Sequence, residues 1–219
     1  MTLPADEDSM LDAERQTVAT AVSTLARLTP GRTGNLSVRR GDHVAITPSG
    51  VPYDRIDAAD VPVVGPDGEV HGDHAPSSEL PLHRACYEAF DTGAVAHAHS
   101  PWATTLAVLQ EPIPPVHYML SLAGGEVPVA AYATYGTEQL GENVVAAMTD
   151  ADATACLLAN HGLVAIGDDL DGAMETAVAV ESVAQVYCQA LAIGTPEPLP
   201  EAELDRVGRK LADYGPDGE

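Results

Sequence analysis

Hydrophobic positions along this chain follow two periods, one near 3.6 residues and one of two, with turn residues between them. Residues 11–28 carry the helical period and stop before Thr29-Pro30-Gly31. Residues 33–39 and 43–47 read as strands on either side of Arg40-Gly41-Asp42, which predicts a hairpin closed by Thr47-Pro48-Ser49-Gly50. A second short hairpin is expected from 61–64 and 68–71 around Pro66-Asp67-Gly68. Ser77-Ser78-Glu79-Leu80-Pro81 marks a helix start, since proline is tolerated in a first turn, and that helix runs to about residue 90. Ala94-Val95-Ala96-His97-Ala98-His99 is small and apolar between its histidines, as a buried strand should be, and Ser100-Pro101 ends it. A helix over 103–109 follows, and a further segment over 116–123 ends at Gly124-Gly125. Residues 127–131 are strand-like and 137–148 helical, while 154–159 and 163–166 predict a hairpin about Asn160-His161-Gly162. A long helix over 170–192, capped by Asp168 or Asp169 and stopped by Gly194, and a last helix over 201–214 complete the pattern.

Hairpins interspersed with helices, without strict βαβ alternation, predict an α/β fold with a mainly antiparallel sheet covered by helices. At 219 residues, with no internal repeat and no long linker, one domain over 11–214 is expected. An acidic tail over 1–10 precedes it, and a short tail over 215–219 follows.

The strand at His97 carries the first candidate chemistry. Side chains two apart on a strand share a face, so His97 and His99 would present two imidazoles together. His161 ends a second apolar strand, and Glu79 lies upstream as a carboxylate candidate. Three His with a Glu suit zinc with a position open to substrate.

Composition narrows the partners. There are 33 acidic residues against 10 basic ones, only one of them a lysine (Lys210), for a net charge of −23. Such a chain repels nucleic acid and anionic membrane, so neither is an expected partner. The lysine-poor acidic balance suits a cytoplasm of molar salt, where screening over a few Å removes self-repulsion. No apolar run is long enough to span a membrane, the N-terminus is acidic rather than signal-like, and three widely spaced cysteines read as free thiols; a cytoplasmic enzyme is expected. No Gly-X-Gly-X-X-Gly or Walker loop supports a nucleotide cofactor.

Thr33-Gly34-Asn35, Thr47-Pro48-Ser49-Gly50 and Ser77-Ser78 each offer backbone N–H groups and a hydroxyl or amide, the last at a helix N-terminus. Together they could cradle a phosphate without any Lys or Arg.

These stretches, in their order and spacing, resemble the class II aldolase/adducin-head family, and within it the branch acting on L-fuculose 1-phosphate. The motifs are Gly34-Asn35-Leu36-Ser37, Ile46-Thr47-Pro48-Ser49-Gly50, Ser77-Ser78-Glu79, His97-Ala98-His99 and Asn160-His161-Gly162. His117-Tyr118-Met119 with Ala123-Gly124-Gly125, and residues 132–137, extend the likeness over nearly the whole chain. The resemblance implies a three-layer α/β/α subunit and a C4 homotetramer with sites between subunits. It implies zinc on His97, His99 and His161, with Glu79 an additional ligand without substrate and the proton-shuttling base with it. It implies that Asn35, Ser49, Gly50, Ser77 and Ser78 hold the phosphate, with Gly34 shaping the turn. Tyr118 matches a proton-donating tyrosine supplied by the adjacent subunit, and Tyr135 and Tyr214 match positions that close over the aldehyde portion. Tyr135 stands where the fuculose branch has phenylalanine, and residues 215–219 also differ from it.

The implied activity is reversible cleavage of a ketose 1-phosphate to dihydroxyacetone phosphate and an aldehyde such as lactaldehyde. No Lys lies near the motifs to form a Schiff base, so a metal must stabilise the enediolate. A sugar-phosphate 4-epimerase and a methylthioribulose-1-phosphate dehydratase use the same metal logic. An adducin-head interaction module is the non-enzymatic alternative, which the full set of His and Glu79 opposes.

Overall fold

The computed structural model describes residues 11–31 and 33–212. The tails over 1–10 and 215–219, and Tyr214, lie outside them. The sheet is built on two strands whose side chains meet at the site. β1 (Gly34–Arg40) and β5 (Ala94–Ala98) run antiparallel, with Asn35 opposite His97 and Ser37 opposite Val95. Outward from β1 lie β2 (His43–Ile46), β3 (Val63–Val64) and β4 (Val70–His71), the two expected hairpins. Beyond β5 lie β8 (Gly162–Gly167), β7 (Ala155–Leu158) and β6 (Val129–Ala130). The order β4-β3-β2-β1-β5-β8-β7-β6 makes one eight-stranded sheet, antiparallel except where β6 meets β7. The expected strand over 127–131 shrinks to two residues at that edge.

Alternation along β5 separates two cores. Ala94, Ala96 and Ala98 face one way, joining Leu36, Leu157, Leu163 and Ala165. That layer is closed by α1 (Asp12–Leu28), α3 (Pro101–Leu109) and α5 (Leu170–Leu191), through residues such as Val22, Leu106 and Val180. Val95 faces the other way with Val44, Ile46, Leu158 and Val164, under α2 (Leu80–Ala89) and α4 (Glu138–Ala151). Helices on both faces of the sheet give the expected three layers. The alanines on the α5 side let a long helix lie close to the strands, whereas the larger Val and Ile side chains fill the space under α2 and α4.

Several other boundaries also differ from expectation. α3 begins at Pro101, earlier than residue 103, because proline suits the first helical position. Residues 116–123 resolve into a 3-10 helix over Tyr118–Ala123. The strand ends at Ala98, so His99 follows it rather than belonging to it. α6 (Glu201–Ala212) completes the described chain. Gly34 has φ +131°, and a Cβ there would lie 2.7 Å from the His97 carbonyl oxygen, so only glycine lets β1 close on β5 at this point.

Candidate functional site

His97 obeys the alternation of β5 and points with Val95 toward α2, where it is fully buried. His161 sits in the turn from β7 to β8, which Asn160 makes by adopting the left-handed conformation at φ 57°. Glu79 holds the cap position of α2 at φ −97°, ψ 13°, a sparsely allowed region where active-site residues recur. Its side chain makes no cap bond to its own helix and turns instead toward β1 and β5.

Four side chains converge as a result. Glu79 Oε2 lies 3.0 Å from His97 Nε2 and Oε1 lies 3.4 Å from His161 Nε2. His97 Nε2 and His99 Nε2 are 3.0 Å apart. The three rings stand edge to face with centroids 4.7–4.9 Å apart. One potential ligand atom from each of the four residues lies within 4.8 Å of the others. His97 Nδ1 is 2.8 Å from the Leu163 carbonyl, which can only accept, so Nδ1 carries the proton and Nε2 is the ligand atom.

The electrostatics fit a cation. Burial alone would raise the Glu79 carboxyl, but His97, Asn35 and His161 hold it well below the usual carboxylate range. Burial and the His97 charge push His99 and His161 down to about 4, so both are bare nitrogens at neutral pH. Burial disfavours a charge on His97, yet the adjacent Glu79 raises it, so a metal competes there with a single proton. Among the described residues Glu79 Oε1 has no hydrogen-bond partner. Bare nitrogens and a carboxylate facing one another repel unless a positive charge lies among them. The donor set, three imidazoles and one carboxylate, fits a divalent metal of the zinc type.

The cluster forms the floor of a cavity of about 380 Å³. Gly34, Asn35, Ser49, Gly50, Ser77, Ser78 and Tyr135 all line it, as do Glu79, His99 and His161, with His97 sealed beneath. Among the described residues no Lys or Arg lines it. Tyr118 does not line it; its ring is 48% exposed and stacks on His117 elsewhere on the surface. Tyr132, from the 132–137 stretch, also lines the wall, as does Tyr53, which no sequence motif marks. Tyr53 donates to the Gly34 carbonyl at 2.6 Å and braces that turn. It follows the Thr47–Gly50 turn by three residues, which was the available signal. Nor did sequence reasoning single out His83, one helical turn beyond Glu79 and 0% exposed, whose Nε2 lies 2.5 Å from Asn35 Oδ1. Its spacing from Glu79 was the only clue.

Comparisons with known proteins identify the family. The profile of the Class II Aldolase and Adducin N-terminal domain family matches residues 16–188. A 5-methylthioribulose-1-phosphate/5-deoxyribulose-1-phosphate aldolase of Rhodospirillum rubrum is 44% identical over 94% of this chain and 90% of its own. An L-fuculose phosphate aldolase of Escherichia coli is 39% identical, covering 92% and 94% respectively. A solved L-fuculose 1-phosphate aldolase superposes with a TM-score of 0.88 at 38% identity, over 95% of this chain and all of that one. The chain therefore belongs to the class II aldolase and adducin N-terminal domain family, as one of its aldolases.

Proposed function

We propose that the chain is a zinc-dependent aldolase that reversibly cleaves a ketose 1-phosphate, L-fuculose 1-phosphate or a similar sugar, to dihydroxyacetone phosphate and a short aldehyde. The observation that carries this reading is the convergence of His97, His99, His161 and Glu79 at the floor of a cavity lined by hydroxyls and backbone amides. The imidazoles of His97, His99 and His161 would hold zinc, with Glu79 as a further ligand before substrate arrives. Zinc would supply the positive charge that stabilises the enediolate left when the carbon–carbon bond breaks.

The remaining work falls to the chain. Ser49, Gly50, Ser77, Ser78 and the second amide hydrogen of Asn35 would hold the phosphate, near the N-terminus of α2. Glu79 would deliver a proton to the enediolate carbon in cleavage and remove it in condensation. Tyr118, exposed and away from its own chain's cavity, would reach a neighbouring subunit's site and exchange a proton with the aldehyde oxygen. That role requires the tetramer. Tyr135, with Tyr214, would close over the aldehyde.

A second substrate, 5-deoxyribulose 1-phosphate or its methylthio analogue, is favoured by the higher identity to the Rhodospirillum relative, 44% against 39%. Tyr135 in place of the phenylalanine of the fuculose branch also bears on this end of the cavity. The acidic surface fits a cytoplasm of molar salt. No helix of the described residues is long and apolar enough to cross a membrane.

The test is condensation of dihydroxyacetone phosphate with lactaldehyde, glycolaldehyde and acetaldehyde, with and without chelator. Product with at least one aldehyde, lost on chelation and restored by Zn²⁺, is expected. Full activity under chelation, or dehydration and epimerisation in place of condensation, contradicts the reading.

A further inference from the structure

Glu79 is the last member of a buried ladder of polar side chains. β1 presents Asn35 and Ser37, two residues apart, toward α2, which presents Glu79, His83 and Tyr87 at intervals of four. The two periods interlock. The Tyr87 hydroxyl is 2.7 Å from Ser37 Oγ, which is 2.6 Å from His83 Nδ1. His83 Nε2 is 2.5 Å from Asn35 Oδ1, and Asn35 Nδ2 donates to Glu79 Oε2 at 2.9 Å. Ser37 and His83 are fully buried, and Asn35, Tyr87 and Glu79 are 4–6% exposed.

The proton positions follow from the Glu79 end. An ionised carboxylate can only accept, so Asn35 must turn its NH₂ to Glu79 and its carbonyl oxygen to His83. His83 must then carry its proton on Nε2. Burial pushes this imidazole down to about 3, so it is neutral and Nδ1 is bare. Ser37 therefore donates to Nδ1 and accepts from Tyr87. Every donor points the same way, toward Glu79, and bonds aligned in this manner strengthen one another.

The ladder also divides the two carboxylate oxygens. Asn35 donates to Oε2, while Oε1 has no hydrogen-bond partner among the described residues. A buried Ser, His and Tyr cost desolvation that apolar side chains of similar volume would not. Their return is orientation: among the described residues His83 alone bonds Asn35 Oδ1, and without it the amide can rotate away from Glu79.

We propose that Tyr87, Ser37 and His83 form a one-way hydrogen-bond relay that locks the Asn35 amide and so positions Glu79 Oε2, leaving Oε1 as the oxygen that moves the substrate proton. His83 is thus a positioning residue. The inference rests on the reading of Glu79 as the base.

The test follows solvent deuterium entering dihydroxyacetone phosphate on the zinc-loaded protein, a reaction that needs no aldehyde. His83→Leu keeps volume but removes both nitrogens, and exchange should slow by roughly 10–100-fold, the usual effect of an outer partner of a site, with KM changed less than about threefold. His83→Gln, which can still donate to Asn35, should recover most of the rate. Zinc affinity by chelator competition should shift less than about threefold, because the three imidazoles remain. In a Glu79→Gln background His83→Leu should add no further loss. Wild-type exchange in a folded His83→Leu, an additive loss in the double variant, or a large loss of zinc affinity each overturns the relay. Should His83→Leu fail to fold, Ser37→Ala decides: slowed exchange supports the relay and an unchanged rate refutes it. If Glu79→Gln itself exchanges at the wild-type rate, the reading of Glu79 falls. If Glu79→Gln is slow and His83→Leu is not, the relay alone falls.

Discussion

At the scale of single residues, burial decides which groups carry charge. His83 takes no proton in the folded protein until about pH 3, whereas the unfolded chain takes one near 6.5. Between those values the unfolded state binds more protons, so stability rises with pH and is lost as pH falls through that window. His99 and His161, held near 4, act in the same direction below 6.5. Replacing His83 by Gln should therefore flatten the fall in unfolding temperature between pH 6.5 and 4, measured by circular dichroism. An unchanged slope would mean that His83 is protonated in the fold. The candidate ligand residues were legible in the sequence because His97 lies near the end of one apolar strand and His161 in the turn that follows another. His99 lies one residue past β5, yet its ring still meets His97. His83 was not legible as a partner of Asn35, because that pairing exists only where the two-residue period of β1 crosses the helical period of α2.

At the scale of elements, the caps show a division that sequence alone concealed. Ser100 precedes α3 as a capping serine should, but makes no side-chain cap bond, and its hydroxyl has no partner among the described residues. The carboxylate of Glu181, on α5, instead accepts from the backbone N–H of Trp102 at 2.9 Å and of Ala103 at 2.8 Å. A negative charge at a helix N-terminus on two donors combines capping with the helix dipole. Removing it in Glu181→Ala should cost about 1–2 kcal/mol, as loss of a cap does, read as a lower urea midpoint with unchanged slope. Glu181→Gln should cost less, and deuterium exchange should be unaffected by either. A midpoint unchanged in Glu181→Ala would show that water caps α3 as well. Within α2 the Pro81 signal correctly marked the helix start, and Asp169 caps α5 by accepting from Gly172 as expected. Residues 127–131 yield only Val129–Ala130 because Val favours a strand, whereas Pro128 has no N–H for a ladder and Ala favours strands weakly.

At the scale of the whole molecule, charge and assembly remain as proposals with direct tests. A chain of net charge −23 repels itself in dilute buffer, and molar salt screens charges beyond about 3 Å. The unfolding temperature and the assembled fraction should both rise as KCl approaches molar levels, followed by calorimetry and sedimentation. Maximal stability in dilute buffer would make the acidic surface incidental. Tyr118 tests assembly through function, since its ring is 48% exposed and outside the cavity of its own chain. Tyr118→Phe and Glu79→Gln proteins, each inactive in cleavage, should recover activity when dissociated and reassembled together, because some interfaces then pair an intact Glu79 with an intact Tyr118. Mixed assemblies without recovery would place both groups in one chain. The mainly antiparallel sheet under helices and most element boundaries were readable from periodicity, whereas the three layers were implied only by the resemblance. Tyr118 was assigned only through resemblance, because no period along the chain marks it.

The most direct measurement is a zinc titration of metal-stripped protein, followed by deuterium exchange into dihydroxyacetone phosphate at each step. Three imidazoles and one carboxylate make one site, so exchange should rise linearly and saturate at about one zinc per chain, and His97→Ala/His99→Ala protein should stay silent throughout. Full exchange in stripped protein, or in the double variant, would contradict a metal-dependent proton transfer at Glu79.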